Sequence, residues 1–250
     1  NKWAPNLRKY LDAHPDVDKD IKTDDGKYYA FPFIRGDESL VVFEGAMIRK
    51  DLLDAFGLEA PETIEEWDHV LTVFKENGVK TPLAISTADS AKPFFSAYNV
   101  TNEFYLDNGE VKYGPLEDGY KQFIELFNKW YATGLLDPDY GTLTRQMVTG
   151  KISSGMVGAS VGTARSLMGV CLAAGKGENE NFELIGTKYP VLNKGDYPEF
   201  GTWEMIYSSN STTAITTSCE NIELAVRVLD YAYGEEGHML YNFGIEGESY

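Results

Sequence analysis

The part of the chain that most constrains the fold is residues 61–86, PETIEEWDHVLTVFKENGVKTPLAIS. Thr63 and Glu66 have the spacing of a capping box, which begins a helix. Apolar residues then recur at helical spacing along one face: Ile64, Trp67, Val70, Leu71 and Phe74. Gly78 ends this helix, and the apolar run 82–86 is typical of a buried strand. A helix that leads into a buried strand is the building unit of α/β domains.

Helical and strand patterns alternate along the rest of the chain, which predicts an α/β fold throughout. Further strands and extended runs are predicted at 28–33, 39–43, 46–48, 152–159, 184–191, 205–207 and 213–216. Further helices are predicted from Arg49 to Gly57, around Tyr120–Tyr131 with its end at Gly134, at 163–174 and at 221–233. Loops are predicted at 87–102 and 175–181.

The composition is that of a globular protein with an acidic surface. Of its 250 residues, 43% are hydrophobic and 24% are charged. Its 39 acidic and 22 basic residues give a net charge of −17, which repels nucleic-acid phosphates and anionic membrane surfaces. We therefore expect neither as a partner. Aromatic residues make up 13% of the chain, which is typical of proteins with saccharide pockets as well as of aromatic cores.

The sequence gives no signature for a metal, a cofactor or a membrane span. Three histidines and two cysteines fit no zinc-ligand spacing. Asp16, Asp18 and Asp20 imitate the start of a calcium loop, but Ile21 and Lys27 replace the glycine and glutamate that such a loop requires. Apolar runs of roughly 18 residues, the length that spans a bilayer, do not occur. We expect no metal and no cofactor.

The cysteines and the chain ends leave questions open. Cys171 and Cys219 are too few for a disulfide framework, yet one bridge between them stays possible, so the redox compartment is undetermined. The chain begins at Asn1 without methionine and stops at Tyr250 just after a helix-like segment and a turn. We interpret it as an internal portion of a longer protein, with any targeting signal outside these residues.

One catalytic motif has to be weighed. Residues 158–162, GASVG, match the G-x-S-x-G nucleophile elbow and fall between a predicted strand and a predicted helix. That strand-to-helix turn would present backbone N–H groups to a ligand. Triad chemistry needs a histidine near Ser160, and His238 is the one that follows it in sequence. A serine hydrolase or esterase that uses Ser160 is the alternative hypothesis, although small residues in a turn also arise for packing.

Several segments in one order resemble a known family. They are DGKYYAFP at 25–32, IRKDLL at 48–53, Gly57-Leu58, PET at 61–63 and Glu66-Trp67. The ending, EEG at 235–237 and YNFGIEGESY at 241–250, agrees with them. Together they resemble bacterial extracellular solute-binding proteins of family 1, of the carbohydrate type, in the lipoprotein subgroup of Gram-positive bacteria.

This resemblance implies a fold, a domain plan and a function. The fold would be the type II periplasmic-binding-protein-like α/β fold with two lobes. Residues 1–36 would supply part of the first lobe and a hinge strand, 37–207 the second lobe, and 208–250 the return crossing. The protein would be no enzyme but the substrate-binding component of an ABC transporter, binding a mono- or oligosaccharide between its lobes. It would be an extracellular monomer, anchored as a lipoprotein in its full length, with a membrane permease as partner.

The resemblance also implies a ligand site. Carboxylates, amides and hydroxyls would bond to sugar hydroxyls, and aromatic rings would cover the apolar face of a pyranose. The residues that match the sugar-contacting positions are Arg35, Asp37, Glu38, Phe94, Phe95, Tyr98, Asn99, Ser160, Thr163, Trp203 and Glu204.

Overall fold

The computed structural model describes residues 2–35, 40–42, 44–86, 91–201 and 206–250. The chain divides into two compact units. Unit 1 comprises Asn1–Val41 and Met205–Tyr250, and unit 2 comprises Val42–Glu204.

Both units are mixed α/β. The helices are α1 (Pro5–Ala13), α2 (Pro15–Asp20), α3 (Lys50–Phe56), α4 (Ile64–Glu76), α5 (Lys92–Phe95), α6 (Asp118–Ala132), α7 (Arg145–Ser153), α8 (Gly169–Glu178), α9 (Ile222–Tyr231) and α10 (Glu235–Asn242). The strands are β1 (Phe31–Ile34), β2 (Glu44–Arg49), β3 (Thr81–Ala84), β4 (Phe104–Asp107), β5 (Glu110–Tyr113), β6 (Val157–Thr163), β7 (Leu184–Gly186) and β8 (Tyr207–Thr213). Among the described residues, no helix is long and apolar enough to cross a membrane.

Unit 1 is organised around an antiparallel pair of strands and a charged helix cap. Strands β1 and β8 pair in antiparallel fashion, with Ile34 opposite Tyr207. The buried carboxylate of Asp230, on α9, accepts hydrogen bonds from the backbone N–H of Leu7 at 2.8 Å and of Asn6 at 3.1 Å. Because these N–H groups belong to the first turn of α1, the negative charge also suits the helix dipole there. Asp230 thereby fixes α1 to α9.

Unit 2 contains a four-stranded sheet in the order β3-β6-β2-β7. Strand β3 runs parallel to β6, whereas β2 runs antiparallel to both β6 and β7. The carboxyl ends of β3, β6 and β7 therefore lie at one edge of the sheet, together with the first residue of β2. We call this the carboxyl edge. In open α/β sheets, ligands bind outside the carboxyl ends of the strands.

Helices cover both faces of this sheet. Ala46 and Ile48 of β2 belong to the cluster that contains Trp67, Phe94 and Trp130. Met47, between them in sequence, belongs instead to the cluster of α7 and α8 that contains Ile152, Cys171 and Phe182. Because alternate residues of a strand point to opposite faces, β2 joins two separate apolar layers.

The predicted start of α4 and the predicted ends of α3 and α6 are confirmed. Helix α4 begins with the capping box, since the Thr63 side chain accepts from the Glu66 N–H at 3.2 Å and Glu66 Oε2 accepts from the Thr63 N–H at 3.1 Å. Gly57 and Gly134 stand just beyond α3 and α6 with φ of 66° and 69°, which is the left-handed conformation that glycine adopts most easily.

The prediction for residues 152–181 is wrong in three places. Ile152 belongs to α7, and the strand begins only at Val157, because Gly155 (φ 75°) ends the helix first. Residues 160–163, where the strand-to-helix turn of the GASVG motif is predicted, are part of β6. The predicted loop at 175–181 is helical as far as Glu178. Short apolar runs suit a helix or a strand equally well, which explains the misplaced strand.

Smaller differences occur elsewhere. The first strand begins at Phe31 rather than Tyr28, and the predicted loop 87–102 contains the short helix α5. The predicted helix around Tyr120–Tyr131 is present as α6, and Ile124 and Tyr131 on it are about half exposed. The predicted extended run at 39–43 lies partly outside the described residues, as does the start of the one at 205–207.

Candidate functional site

A cavity of about 350 Å³ opens at the carboxyl edge of unit 2. We call it the edge cavity. It is lined by the start of β2, the end of β6, the segment that follows β6 and the end of β7, specifically residues 42, 44–47, 162, 164, 168 and 186–189. Its position matches the place where α/β sheets bind small molecules, and its size lies at the lower end of the range for ligand pockets.

Tyr189 forms an aromatic wall of the edge cavity. Its hydroxyl donates a hydrogen bond to the backbone carbonyl of Glu44 at 2.7 Å, which fixes the ring relative to β2. A Cβ atom at Gly45 would lie 3.6 Å from Cε1 of this ring, and one at Gly201 would lie 3.1 Å from Cε2. The two glycines thus make room for opposite edges of the ring. A fixed, half-buried tyrosine suits a flat sugar ring better than a mobile one, because less rotamer entropy is lost on binding.

The chain leaves β6 through a π-helical segment, Ala164–Met168, before α8 begins. Such segments are rare in proteins, and those that do occur are often found at functional sites. Gly162 allows the close packing here, because a Cβ atom at this position would overlap the Leu167 side chain and lie 3.1 Å from Cε of Met47. Gly162, Ala164 and Met168 all line the edge cavity.

A guanidinium group lies at the end of β6. Nη2 of Arg145, the first residue of α7, donates to Oγ1 of Thr163 at 2.8 Å and to Oγ of Ser166 at 3.1 Å. The two hydroxyls also contact each other. Thr163 is thus the predicted site residue that lies beside the edge cavity, between its lining residues Gly162 and Ala164.

The predicted site residues Phe94 and Phe95 are core residues. Phe94 is fully buried among Trp67, Phe127 and Trp130, with ring centroids 5.2 to 5.6 Å apart. Phe95 is 3% exposed and packs on Phe123. We therefore correct the prediction, because neither ring has a face left for a ligand.

Tyr98 and Asn99 lie in a different depression of unit 2, a polar cleft of about 340 Å³. Asn99 adopts a left-handed conformation (φ 52°), and its Oδ1 accepts from the backbone N–H of Glu199 at 3.4 Å. Burial raises the pKa of Tyr98 above its ordinary value, which keeps the phenol neutral and able to donate. Tyr105 and Phe200 form another wall of this cleft, with ring centroids 5.0 Å apart.

Ser160 is also used for structure. It is 1% exposed within β6, and its hydroxyl donates to the carbonyl of Ala84 at 2.7 Å. The nucleophile-elbow interpretation is therefore wrong in its geometry, since an elbow exposes the serine on a sharp turn. His238, on α10 of unit 1, is exposed and contacts Asn242. A hydroxyl buried within a sheet is also unsuited to direct contact with sugar.

Of the remaining predicted site residues, the structure describes Arg35 alone. The backbone N–H of Arg35 donates to the Ile206 carbonyl at 2.7 Å, and its guanidinium lies 5.5 Å from the centre of the Phe33 ring. Asp37, Glu38, Trp203 and Glu204 lie outside the described residues.

The cysteines are both free thiols, Cys171 in unit 2 and Cys219 in unit 1. Burial raises the pKa of the Cys171 thiol, so it behaves as an inert core side chain. Across the residues that the structure describes, no three or more His, Cys, Asp or Glu side chains come together as a metal site would require.

Sequence reasoning missed Tyr189, Arg145 and Ser166. Tyr189 falls inside the strand predicted at 184–191, and because the strand ends at Gly186, the tyrosine lies beyond its carboxyl end instead. No signal in the sequence pointed to Arg145, because the helix that carries this residue was not predicted.

Solved structures with the same fold include carbohydrate-binding and solute-binding proteins. The alginate-binding protein AlgQ2, solved without calcium ion, superimposes with a TM-score of 0.77 at 25% identity, over 100% of this chain and 52% of that one. A structure of FusA from Streptococcus pneumoniae in complex with kestose gives a TM-score of 0.73 at 23% identity, over 99% of this chain and 52% of that one. These likenesses define the fold class as α/β, type II periplasmic-binding-protein-like.

Sequence comparisons then give the family. The model of the bacterial extracellular solute-binding protein family matches residues 1–239, and the chain belongs to this family. The fructooligosaccharide ABC transporter substrate-binding protein FusA is 30% identical over 158 residues, 56% of this chain and 29% of that protein. Lipoprotein LipO from Bacillus subtilis is 21% identical over 220 residues, 82% of this chain and 43% of that protein. The chain thus spans less than half the length of these curated relatives.

Proposed function

We propose that the full-length protein is the substrate-binding component of an ABC transporter and that it binds a mono- or oligosaccharide. The observation that carries this proposal is the edge cavity, with its fixed tyrosine, at the carboxyl edge of a solute-binding-protein fold. Thr163, which carries a hydroxyl, lies in sequence between two residues that line this cavity. The printed names of FusA and AlgQ2 as fructooligosaccharide- and alginate-binding proteins support a carbohydrate ligand.

The proposed domain plan follows from the resemblance. Unit 2 would be the second lobe and unit 1 part of the first, with crossings near residues 37 and 207. The division of the chain after Val41 and after Glu204 supports this plan, since both boundaries fall within a few residues of those crossings.

Binding would change no covalent bond. Tyr189 would stack on the apolar face of a sugar ring, and Thr163 with Arg145 would bond to its polar substituents. A ligand that binds the closed conformation of the full-length protein more tightly would increase the population of that conformation. The permease would recognise the closed conformation. The commitment of the Ser160 hydroxyl to the Ala84 carbonyl supports a binding role over a hydrolytic one.

The cellular setting is part of the proposal. We infer an extracellular monomer, held at the membrane as a lipoprotein, with a permease as its partner. The family description and the lipoprotein LipO support the location.

The test is calorimetry on the full-length protein with a panel of mono- and oligosaccharides, followed by the Tyr189→Ala variant. Loss of the ring should weaken binding of the best sugar about tenfold, roughly 1.4 kcal/mol. Tyr131→Ala removes a tyrosine from α6 that is 48% exposed, and it should leave the affinity unchanged.

Two results would count against the proposal. If no saccharide in the panel binds, the carbohydrate assignment is wrong. If saccharide binds but Tyr189→Ala and Tyr131→Ala behave alike while both stay folded by circular dichroism, the edge cavity is not the site.

A further inference from the structure

Arg145 differs from Arg8, Arg49 and Arg227 in what its guanidinium contacts. Arg8, Arg49 and Arg227 each pair with a carboxylate, at 2.6 Å to Asp12, 2.5 Å to Asp51 and 2.9 Å to Glu223. Among the described residues, the side-chain partners of Arg145 are two neutral hydroxyls and no carboxylate. In a chain with 39 acidic and 22 basic residues, a guanidinium that has no carboxylate partner within the described ranges is unexpected.

The two hydroxyls hold this group in one orientation. Thr163 and Ser166 both accept from Nη2, and they contact each other, so three side chains from α7, β6 and the π-helical segment form one network. Arginine carries five N–H donors, and the hydrogen bonds of this network use only those of Nη2. In the part of the chain that the structure describes, Nε and Nη1 have no acceptor, and an exposed arginine can donate from both of them to the two oxygens of one ligand group.

The three side chains of this network do not themselves line the edge cavity, but two of them belong to residues that neighbour lining residues in sequence. Thr163 is flanked in sequence by Gly162 and Ala164, and Ser166 lies between Ala164 and Met168, three residues that line the cavity. A guanidinium fork matches the two oxygens of a carboxylate, whereas a neutral sugar hydroxyl would leave its charge unmatched.

We propose that Arg145, oriented by Thr163 and Ser166, forms a subsite at the rim of the edge cavity that selects sugars bearing a carboxylate, the uronic acids. This inference rests on the proposed function and narrows its substrate class. Because Arg145 is exposed, the preference is moderate and weakens as salt screens the charge.

The experiment uses the full-length protein and matched ligands that differ only in charge. Trimers of several uronic acids are compared with their methyl esters, in which the carboxylate is neutral and the ring unchanged. The variants are Arg145→Gln, Arg145→Lys and the control Arg227→Gln, which removes the same charged group from α9 of unit 1. Affinities are measured by calorimetry at low and at high salt.

The expected result is tighter binding of an acid than of its ester at low salt, by about tenfold, or 1.4 kcal/mol. High salt should shrink this difference severalfold. Arg145→Gln should abolish the difference, Arg145→Lys should keep part of it, and Arg227→Gln should leave it intact.

Other results would overturn the inference. If neutral oligosaccharides bind and no acid binds better than its ester, the subsite does not select charge, while the proposed function stands. If Arg145→Gln weakens acid and ester equally, the residue merely supports the fold of the rim. If no sugar of any kind binds, the proposed function fails and this inference with it.

Discussion

The two halves of β6 have the same kind of sequence but different surroundings. In the first half, Gly158 and Ser160 are buried and used for packing, against Phe74 and the Ala84 carbonyl. In the second half, Gly162 lines the edge cavity and Thr163 binds Arg145 beside it. The comparison teaches that a small-residue strand can be structural at one end and available to ligand at the other. The motif GASVG spans both halves, which is why it was misleading.

The largest effect is expected at Gly158. A Cβ atom there would overlap Cδ2 of Phe74, lie 2.8 Å from its Cε2 and lie 3.1 Å from the Pro82 carbonyl oxygen. Because Phe74 is fully buried, its ring has little room to move away from the added methyl group. Gly158→Ala should therefore destabilise the protein by about 2 kcal/mol through overpacking. Urea denaturation monitored by tryptophan fluorescence measures this loss.

A matched glycine provides the control for this prediction. Gly150, in α7, has nothing within 4 Å of a built Cβ atom, so Gly150→Ala should stabilise the helix by roughly 0.5 to 1 kcal/mol. If the two variants change the denaturation midpoint in the same direction, the packing account of Gly158 is wrong.

An intermediate effect is expected at Ser160. Ser160→Ala removes one buried hydrogen bond to the Ala84 carbonyl and should cost about 1 kcal/mol of stability. Sugar affinity should be unchanged. Wild-type protein should also resist a fluorophosphonate probe, because the hydroxyl is buried and faces no described base. Labelling that disappears in Ser160→Ala would restore the hydrolase hypothesis.

How much of this could be predicted from sequence depends on how local each signal is. Helix α4 was predictable because Thr63, Glu66 and Gly78 mark its ends within the segment itself. The start of β6 was not, because Ile152 suits a helix or a strand and only the packing of α7 on Cys171 and Phe182 decides between them.

The candidate site was harder to predict, because its contacts join distant segments. Tyr189 bonds to Glu44 across 145 positions of sequence, and Arg145 bonds to Thr163 across 18. The family resemblance selected Thr163, which neighbours lining residues of the edge cavity, but it also selected Phe94 and Phe95, whose burial depends on α6 packing over them. Residue type alone did not separate a stacking ring from a core ring.

The smallest effect on stability, and the one most specific for ligand, is expected at Thr163. Thr163→Val keeps the β-branched shape that suits a strand and removes only the oxygen that accepts from Arg145 at 2.8 Å. Because the residue is only partly buried, the free energy of unfolding should change by less than about 0.5 kcal/mol. Ser166 alone would then hold Nη2, at 3.1 Å, so the preference for a uronic acid over its methyl ester should fall about threefold. Calorimetry with that ligand pair measures the ratio, and Thr81→Val, the same exchange at a partly buried threonine at the amino end of β3, is the control. A Thr163→Val protein that is as stable as wild type and keeps the full acid preference would show that Arg145 does not depend on this end of β6.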